Sequence, residues 1–232
     1  MQSLMPYRAC TLGPLTEMHS ALASETYACS FAAGQWCAED WLPVRSPRWH
    51  WEGAWLQEAD HIRNKVPLDA TPAALRGERA GETYASMLHR NSAQSSLRVR
   101  AELAFDECMA PLITLAAEPV QEGERGRVYR EHVEVVLFDQ GVNVWDHRWA
   151  AERGPYWSRV AWARFSTASG RRYVLEVERA GPDLTVRCAD HVLGVRLALP
   201  ETLYAGITGC EGTNRFYSDE TERFQFTVGG AF

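Results

Sequence analysis

Apolar and polar residues alternate with a period of two through much of this chain, a pattern typical of half-buried β-strands. The clearest example runs from Tyr129 to Trp149, with the sequence YREHVEVVLFDQGVNVWDHRW. Two alternating segments flank the turn-forming residues 139–141, so the pattern predicts a β-hairpin. One predicted face is aliphatic, and the other carries polar and aromatic side chains: His132, Glu134, Asn143, Trp145 and His147.

The register of this hairpin decides which of those side chains meet. If Gln140 and Gly141 form a two-residue loop, Glu134 lies opposite His147. Directly opposed side chains are about 4.5–5.5 Å apart at Cβ. A carboxylate, an imidazole and an indole on one face suit the binding of a polar ring-shaped ligand, so Trp145 and Asn143 are predicted to contact it.

Further strands and two short helices are predicted elsewhere. The spacing of Leu15, Met18 and Leu22 predicts an amphipathic helix over 13–24, within an N-terminal extension of residues 1–26. Thr71 followed by Pro72 predicts a second helix, because a capping residue and a first-turn proline begin helices. Strands are expected at 97–105, 111–117, 173–179, 184–188, 191–197, 203–208 and 224–228.

The organisation of the chain indicates one all-β domain over residues 1–232. Neither a shift in composition nor a linker nor an internal repeat marks a boundary. Many short strands separated by turn residues predict a two-sheet antiparallel β-sandwich with short peripheral helices. Residues 67–96 are expected to form a long excursion over one sheet, and long ordered excursions are often functional.

The part of the chain from about Ser96 to Val228 resembles the concanavalin A-like lectin/glucanase jelly-roll superfamily. The resemblance rests on the segments RRYVLEVERAGPDLTVRCADHVLGVR and LYAGITGCEGTNRFY. It implies a jelly roll whose concave sheet receives a saccharide. The superfamily includes lectins, glycoside hydrolases, polysaccharide lyases and non-catalytic binding modules, so the resemblance does not choose among these functions.

The catalytic motifs of two enzymatic branches are not matched. Retaining glucanases of this fold carry ExDxxE or ExDxE, whereas the nearest stretch here runs from Glu131 to Glu134 without an aspartate. Alginate-lyase-type jelly rolls carry R(S/T)ELR and QIH strands. The stretch from Arg98 to Glu102 matches the first of these only faintly, and QIH is absent. No catalytic residue is therefore carried over from either branch.

Glu134 and His147 are the leading candidates for chemistry. A carboxylate beside an imidazole can orient it, raise its basicity or join it in holding a metal. We interpret the two as an acid/base pair, assisted by His132, that cleaves a glycoside by hydrolysis or β-elimination. The His/Glu/His set also leaves a divalent metal open as a cofactor. The two residues are expected to lie in a partly solvated groove, so Glu134→Gln and His147→Ala would each change stability by less than about 1 kcal/mol while abolishing turnover or sugar binding. The alternative is an ordinary cross-strand ion pair on a solvated face.

Other residues are expected to contribute to ligand binding. The cations His61, Arg63 and Lys65 alternate along one segment and would hold an anionic or carbonyl group. A solvated edge strand with protective charges is the alternative for these three cations, and core packing is the alternative for the tryptophans of the preceding segment. Three more residues are candidates for the groove wall or its mouth: Trp51, Trp55 and His89.

Composition narrows the class of partner and compartment. The net charge of −6 argues against nucleic acid or an anionic membrane as the partner. The absence of a signal-like N-terminus and of a long apolar stretch indicates a cytoplasmic protein. Six scattered cysteines without CxxC spacing are expected to be mostly reduced. A saccharide remains the expected ligand, and the oligomeric state is left open.

Two non-catalytic functions stay open beside the enzyme. One is a carbohydrate-binding, lectin-like module that uses the same face of the sheet, and the other is a laminin-G-like protein-interaction domain. No P-loop, GxGxxG, HExxH, GxSxG or paired CxxC sequence is present. Nucleotide-dependent chemistry, zinc-protease chemistry and serine hydrolysis are therefore not indicated.

Overall fold

The computed structural model of the chain describes residues 22–46, 48–49, 53–91, 96–106 and 110–225. Among the described residues, strands account for about 57% and helices for about 7%. This content confirms the predicted all-β class.

Seventeen strands and four short helical turns follow one another along the described residues. The helical turns are Ala38–Asp40, α1 (Pro72–Leu75), Ala80–Thr83 and Gly123–Arg125. The strands are β1 (Leu22–Ser30), β2 (Trp41–Val44), β3 (Trp55–Gln57), β4 (Ile62–Asn64), β5 (Ala85–His89), β6 (Ser96–Phe105), β7 (Pro111–Ala116), β8 (Val120–Gln121), β9 (Arg127–Val128), β10 (His132–Phe138), β11 (Gly141–Ala150), β12 (Gly154–Arg164), β13 (Tyr173–Ala180), β14 (Asp183–Cys188), β15 (His191–Arg196), β16 (Tyr204–Gly209) and β17 (Asn214–Gln225).

The strands form two large antiparallel sheets. Sheet 1 has the order β15-β14-β13-β6-β17-β4-β3, and β1 also pairs with β17. Sheet 2 has the order β12-β11-β10-β7-β16-β5-β2, so β12 lies at its edge and β10 lies inside it. The predicted two-sheet sandwich is therefore confirmed.

The main core lies between the two sheets. Leu97 and Val99 of sheet 1 belong to the same buried cluster as Ile113, Val133 and Val135 of sheet 2. Burying one such side chain contributes about 1.5–3 kcal/mol. Because side chains alternate along a strand, filling this core directs His132 and Glu134 to the outer face of sheet 2.

That outer face is covered in part by a second apolar cluster. Leu112 and Val136 of the sheet pack there with Tyr84 and Tyr129, and the partly buried ring of Trp49 lies against them. The central strands of sheet 2 are therefore covered on their outer face and are not open to solvent there.

The predicted peripheral elements have mixed outcomes. Thr71 caps α1 by accepting a hydrogen bond from the Ala74 amide at 3.3 Å, which confirms the second helix. Residues 13–21 lie outside the described part of the chain. The end of the predicted first helix is wrong, because residues 22–24 belong to β1, where pairing with β17 replaces the helical spacing.

Other boundaries also change. The expected excursion over 67–96 contains β5, which pairs with β2 and β16 inside sheet 2. The expected last strand ends as part of β17 at Gln225, and residues 226–228 lie outside the described part. None of the described helices is long and apolar enough to cross a membrane.

Candidate functional site

The β10–β11 hairpin forms as predicted, but its register differs by two residues. Phe138 pairs with Gly141, so the loop consists of residues 139 and 140. His132 therefore lies opposite His147, and Glu134 lies opposite Trp145. The expected direct pairing of Glu134 with His147 is wrong. A shift by two residues keeps every side chain on its predicted face, because side chains alternate with that period.

The carboxylate of Glu134 lies at the centre of a polar cluster. Its Oε1 is 3.1 Å from Nε2 of His132, and its Oε2 is 3.1 Å from Nε2 of His147. The His147 contact lacks hydrogen-bond direction, whereas His132 is hydrogen bonded. Arg48 donates to Oε1 at 3.3 Å, and the hydroxyl of Tyr84 donates to the same oxygen at 3.5 Å. These five residues are called the Glu134 cluster.

Burial and charge together set the protonation of this cluster. Burial alone would raise the pKa of Glu134, but nearby His147, the hydrogen bond from His132 and the charge of Arg48 together hold that pKa well below its usual range. Burial lowers the pKa of His132 to about 4, although Glu134 opposes the change. At neutral pH the cluster therefore holds an ionised carboxylate and a neutral His132.

The expected partly solvated groove around Glu134 is wrong. Only 4% of Glu134 and 3% of each of His132 and His147 is exposed. Arg48 covers the carboxylate, and Tyr84 approaches it from the segment that precedes β5. A ligand on the surface would meet these residues only through their covering neighbours.

Arg48 is a component that sequence reasoning missed. Its guanidinium carbon lies 5.2 Å from the ring centre of Trp157 and 5.9 Å from that of Trp49. Burial would lower the pKa of Arg48, but the negative charge of Glu134 raises it, so the side chain stays charged. The segment PRWHW has no periodicity that marks Arg48, and 86 residues separate it from its partner.

Buried hydroxyl groups continue the cluster along the outer face of sheet 2. The Tyr84 and Tyr129 hydroxyls are in contact, and Tyr129 donates to Ser86 at 3.4 Å. Ser86 and Thr208 share a hydrogen bond of 2.6 Å. Burial raises the pKa of Tyr129, so its hydroxyl remains protonated at neutral pH. These groups can stabilise the buried carboxylate as neutral donors.

Three side chains of the cluster carry donor atoms of the kind that bind a metal ion. One donor atom from each of His132, Glu134 and His147 lies within 4.8 Å of the others, and this donor set is typical of zinc. However, the two imidazole rings stack at 4.2 Å with only 13° between their planes. Each ring's lone pair lies in its own plane, so two stacked rings do not point at one ion about 2.1 Å away.

Two further observations disfavour a metal in this arrangement. The guanidinium of Arg48 already contacts the carboxylate at 3.3 Å. Nδ1 of His132 is buried and has no hydrogen-bond partner among the described residues, whereas metal-bound histidines usually donate their other ring nitrogen to a neighbour. The cluster contains metal-type ligands, but they do not fit one shared ion.

An aromatic surface lies beside the cluster, towards the edge of sheet 2. Trp157 lies opposite His147, and Trp162 lies opposite Asn143, so these side chains share the outer face. The exposed fraction is 47% for Trp157 and 50% for Trp162, while Trp145 is half-buried. The Trp157 ring lies 6.0 Å from the His147 ring, at 25° between the planes. Trp145, Trp157 and Trp162 are called the tryptophan face.

The cations predicted to hold an anionic or carbonyl group of the ligand lie on the other sheet. Arg63 belongs to β4, which pairs with β17 in sheet 1, and its side chain contacts Glu58 at 2.8 Å. His61 contacts Asp60 at 2.7 Å, and Lys65 is exposed just after β4. Their expected role beside Glu134 is wrong, because the alternating pattern gave their face but not the sheet that β4 joins.

The remaining predicted residues divide between core and undescribed positions. Trp55 packs against Phe216 at 5.5 Å and is partly buried against the main core. His89 is buried beside Tyr27, at 4.0 Å between ring centres, and burial lowers its pKa. Neither residue lines the tryptophan face. Trp51 lies outside the described residues.

A cavity of about 320 Å³ lies away from the Glu134 cluster, and it is partly lined by Leu75, Arg76, Asp106 and Glu211. Asp106 is neutralised there by a two-point contact with Arg215. The cavity touches none of the residues in the Glu134 cluster or on the tryptophan face. We place the candidate site at the tryptophan face, because its exposed indole rings lie beside the titratable side chains of the Glu134 cluster.

No protein-family model matches the chain, and no curated protein matches its sequence. Several solved structures match its fold. A glycoside hydrolase family 16 endo-glucanase from Bacteroides ovatus has a TM-score of 0.55 at 6% identity, covering 84% of this chain and 99% of that one. A GlcNAcα1-4Gal-releasing endo-β-galactosidase from Clostridium perfringens has a TM-score of 0.56 at 9% identity, covering 94% and 66%.

A third match is the carbohydrate-binding module CBM66 from Bacillus subtilis, with a TM-score of 0.54 at 10% identity. The alignment covers 79% of this chain and 95% of the module. At such low identities the similarity concerns the fold alone. The chain therefore has the concanavalin A-like jelly-roll fold that its sequence led us to expect.

Proposed function

We propose that this protein binds a saccharide on the tryptophan face. The observation that carries the proposal is the exposure of Trp157 and Trp162, at 47% and 50%, on the same sheet face with Arg159 between them. Large exposed apolar surfaces of soluble proteins usually mark binding sites. A sugar ring presents C–H groups on its faces, so it can stack on an indole while its hydroxyls contact polar neighbours such as Asn143.

The named functions of the structural matches support a saccharide as the ligand class. The three compared proteins are two glycosidases and a carbohydrate-binding module. A further match, the lumenal domain of VIP36, has a form bound to Ca2+ and Man3GlcNAc, with a TM-score of 0.52. One fold hosts both binding and cleavage, so the choice between them rests on the residues of this chain.

The Glu134 cluster favours binding over cleavage. A general acid has to carry its proton near neutral pH, and a general base needs a pKa near that range. The pKa of Glu134 lies well below its usual range, and both its oxygens are engaged by neighbouring side chains. In the proposed function the cluster holds the Arg48 guanidinium beside Trp157, and thereby supports the binding surface.

Acid/base cleavage of a glycoside, by hydrolysis or β-elimination, is the second candidate function. The contact of His147 with Glu134 at 3.1 Å and the stacking of Trp157 on His147 favour it. In this candidate His147 is the base, Glu134 orients its ring and His132 assists. His147 would have to reach the bound sugar past Trp157.

A glycan-binding screen with matched variants tests the proposal. The double variant Trp157→Ala, Trp162→Ala is expected to weaken binding of the best glycan by roughly a hundredfold. An aromatic side chain that stacks on a ligand ring contributes about 1–3 kcal/mol to the binding free energy. Val192→Ala is the control, because it truncates an exposed apolar side chain, 65% accessible, on sheet 1. Unchanged binding by the double variant, or no glycan bound by the wild type, would contradict the proposal.

The same screen separates the two candidate functions. Each bound glycan is incubated with the wild type and with His147→Ala, and new reducing ends and unsaturated products are measured. Turnover that His147→Ala abolishes would establish the enzyme. Binding without products from any bound glycan supports the non-catalytic module.

A further inference from the structure

Arginine guanidinium groups stack over the indoles on the outer face of sheet 2. The guanidinium carbon of Arg159 lies 4.7 Å from the ring centre of Trp162, and that of Arg48 lies 5.2 Å from Trp157. Along the edge strand β12, the outward residues therefore alternate between indole and guanidinium, ending at Arg164. Cations and aromatic rings are interleaved on the surface where the saccharide is proposed to bind.

This strip is positively charged, whereas the whole chain carries a net charge of −6. Strand β12 contains two arginines and no acidic residue. Arg159 and Arg164 are exposed, and neither has an ion-pair partner among the residues that the structure describes. On sheet 1, by contrast, Arg98 and Arg187 are neutralised by glutamates at 2.9–3.4 Å.

Stacking also prepares the Arg159 side chain for one kind of partner. A guanidinium that lies over a ring has its face occupied, while its N–H groups at the edge remain free to donate, and these donors stay free when a sugar ring takes its place on the indole. These donors form a rigid fork that matches the two oxygens of a carboxylate or a sulfate. The unpaired charge would then be neutralised by the ligand, because no described neighbour neutralises it.

We infer that the saccharide bound by the tryptophan face is anionic, and that Arg159 and Arg164 bind its carboxylate or sulfate groups. This inference rests on the proposed function and narrows its ligand class. A nucleic acid would also offer anions and rings. It is disfavoured because the chain as a whole is acidic and β12 contributes only two arginines to this strip, whereas nucleic-acid binders usually carry an extended basic surface.

Affinity electrophoresis and calorimetry with defined polymers test the inference. The probes are polygalacturonate for carboxylates, dextran sulfate for sulfates, and laminarin as a neutral polymer. We expect the wild type to bind one of the anionic polymers at least roughly tenfold more tightly than laminarin. Added salt should weaken this binding, because exposed charges are screened. The preferred anionic polymer identifies the group that is recognised.

The arginines are tested by single substitutions at exposed positions that should not disturb folding. Arg159→Gln and Arg164→Gln are each expected to weaken anionic binding by roughly tenfold, while Arg159→Lys keeps the charge and loses the fork. Arg196→Gln is the control, because it removes one exposed charge from the edge strand of sheet 1. Each variant is first checked for an unchanged melting temperature.

The outcomes separate this inference from the proposed function. If laminarin binds as tightly as the anionic polymers and only the tryptophan variants lose it, the function stands and the charge inference is wrong. If none of these polymers binds but the glycan screen yields a neutral ligand, the function stands and the charge inference is wrong; if the screen also yields no ligand, both are wrong. If single-stranded DNA binds more tightly than either anionic polymer and Arg159→Gln removes that binding, the ligand class is overturned.

Discussion

At the scale of single residues, Glu134 shows how a buried charge is accommodated. Its partners come from two parts of the chain: His132 and His147 from the hairpin, Arg48 and Tyr84 from the preceding segments. The negative charge compensates Arg48, which is itself mostly buried. Removing one charge of such a pair leaves the other buried and unpaired, and this is more costly than losing an exposed ion pair.

We therefore predict that Glu134→Gln lowers the free energy of unfolding by about 3–5 kcal/mol. This replaces the sequence-based expectation of less than about 1 kcal/mol for a solvated groove. Urea unfolding followed by tryptophan fluorescence measures the change. Glu176→Gln is the control, because its contact with Arg187 is partly exposed and should contribute less than about 1 kcal/mol. Similar small losses in both variants would contradict the buried-pair interpretation.

The sequence was sufficient to predict which side chains share a face, but not which ones touch. His132, Glu134 and His147 follow from strict alternation about an aliphatic core face. Arg48 could not be found in this way, because its position depends on tertiary packing between segments 86 residues apart. Burial of Glu134 was missed for the same reason, since the covering residues belong to other parts of the chain.

At the scale of elements, the register of the β10–β11 hairpin depends on one glycine. Gly141 adopts a φ of +126°, and a Cβ atom there would lie 2.0 Å from the carbonyl oxygen of Ala163 on β12. The residue therefore belongs to the strand, directly paired with Phe138, and leaves only two residues for the loop. Turn chemistry at 139–141 predicted the hairpin, but it did not show that Gly141 belongs to the strand and not to the loop.

We predict that Gly141→Ala costs more than Gly170→Ala in the free energy of unfolding. Both glycines have positive φ, but a Cβ at Gly170 would meet nothing within 4 Å. The control should cost about 1–2 kcal/mol for its backbone conformation alone. Gly141→Ala should cost about 3 kcal/mol or more, because it adds a clash with backbone. Equal losses, measured by thermal unfolding, would mean that β12 can move aside.

It was easier to predict which side chains of a strand share a face than to predict which strand it pairs with. The alternating segments over β6, β10, β13 and β14 were recognised, because each pattern is local. The sheet that β4 joins depends on its pairing with β17, which lies about 150 residues further along the chain. This is why Arg63 was predicted on the correct kind of element but on the wrong side of the molecule.

At the scale of the whole molecule, two buried groups give stability opposite dependences on pH. Asp219 lies inside the sandwich, and burial raises its pKa from 3.8 to about 7. The folded state therefore holds this proton more strongly, and the stability it contributes is lost as pH rises from about 4 to about 7. Burial lowers the pKa of His132 from 6.5 to about 4, so its contribution is lost as pH falls through that range.

We predict that Asp219→Asn is more stable than the wild type near neutral pH, by on the order of 4 kcal/mol, and that the difference narrows as pH falls to about 4. Asparagine avoids the buried charge at every pH. Urea unfolding across this range gives the difference. The exposed Asp183→Asn is the control and should change stability by less than about 0.5 kcal/mol. A difference for Asp219→Asn that widens at low pH would refute the assignment.

The guanidinium stacked on Trp162 makes ligand capture an exchange of one stacking partner for another. A sugar ring that occupies this indole has to displace Arg159, which lies 4.7 Å from the ring centre. A neutral sugar gains only the contact with the indole surface that the arginine has left, whereas an anionic sugar can also form an ion pair with the displaced arginine. The pair of Arg159 and Trp162 would therefore favour anionic sugars over neutral sugars of the same shape.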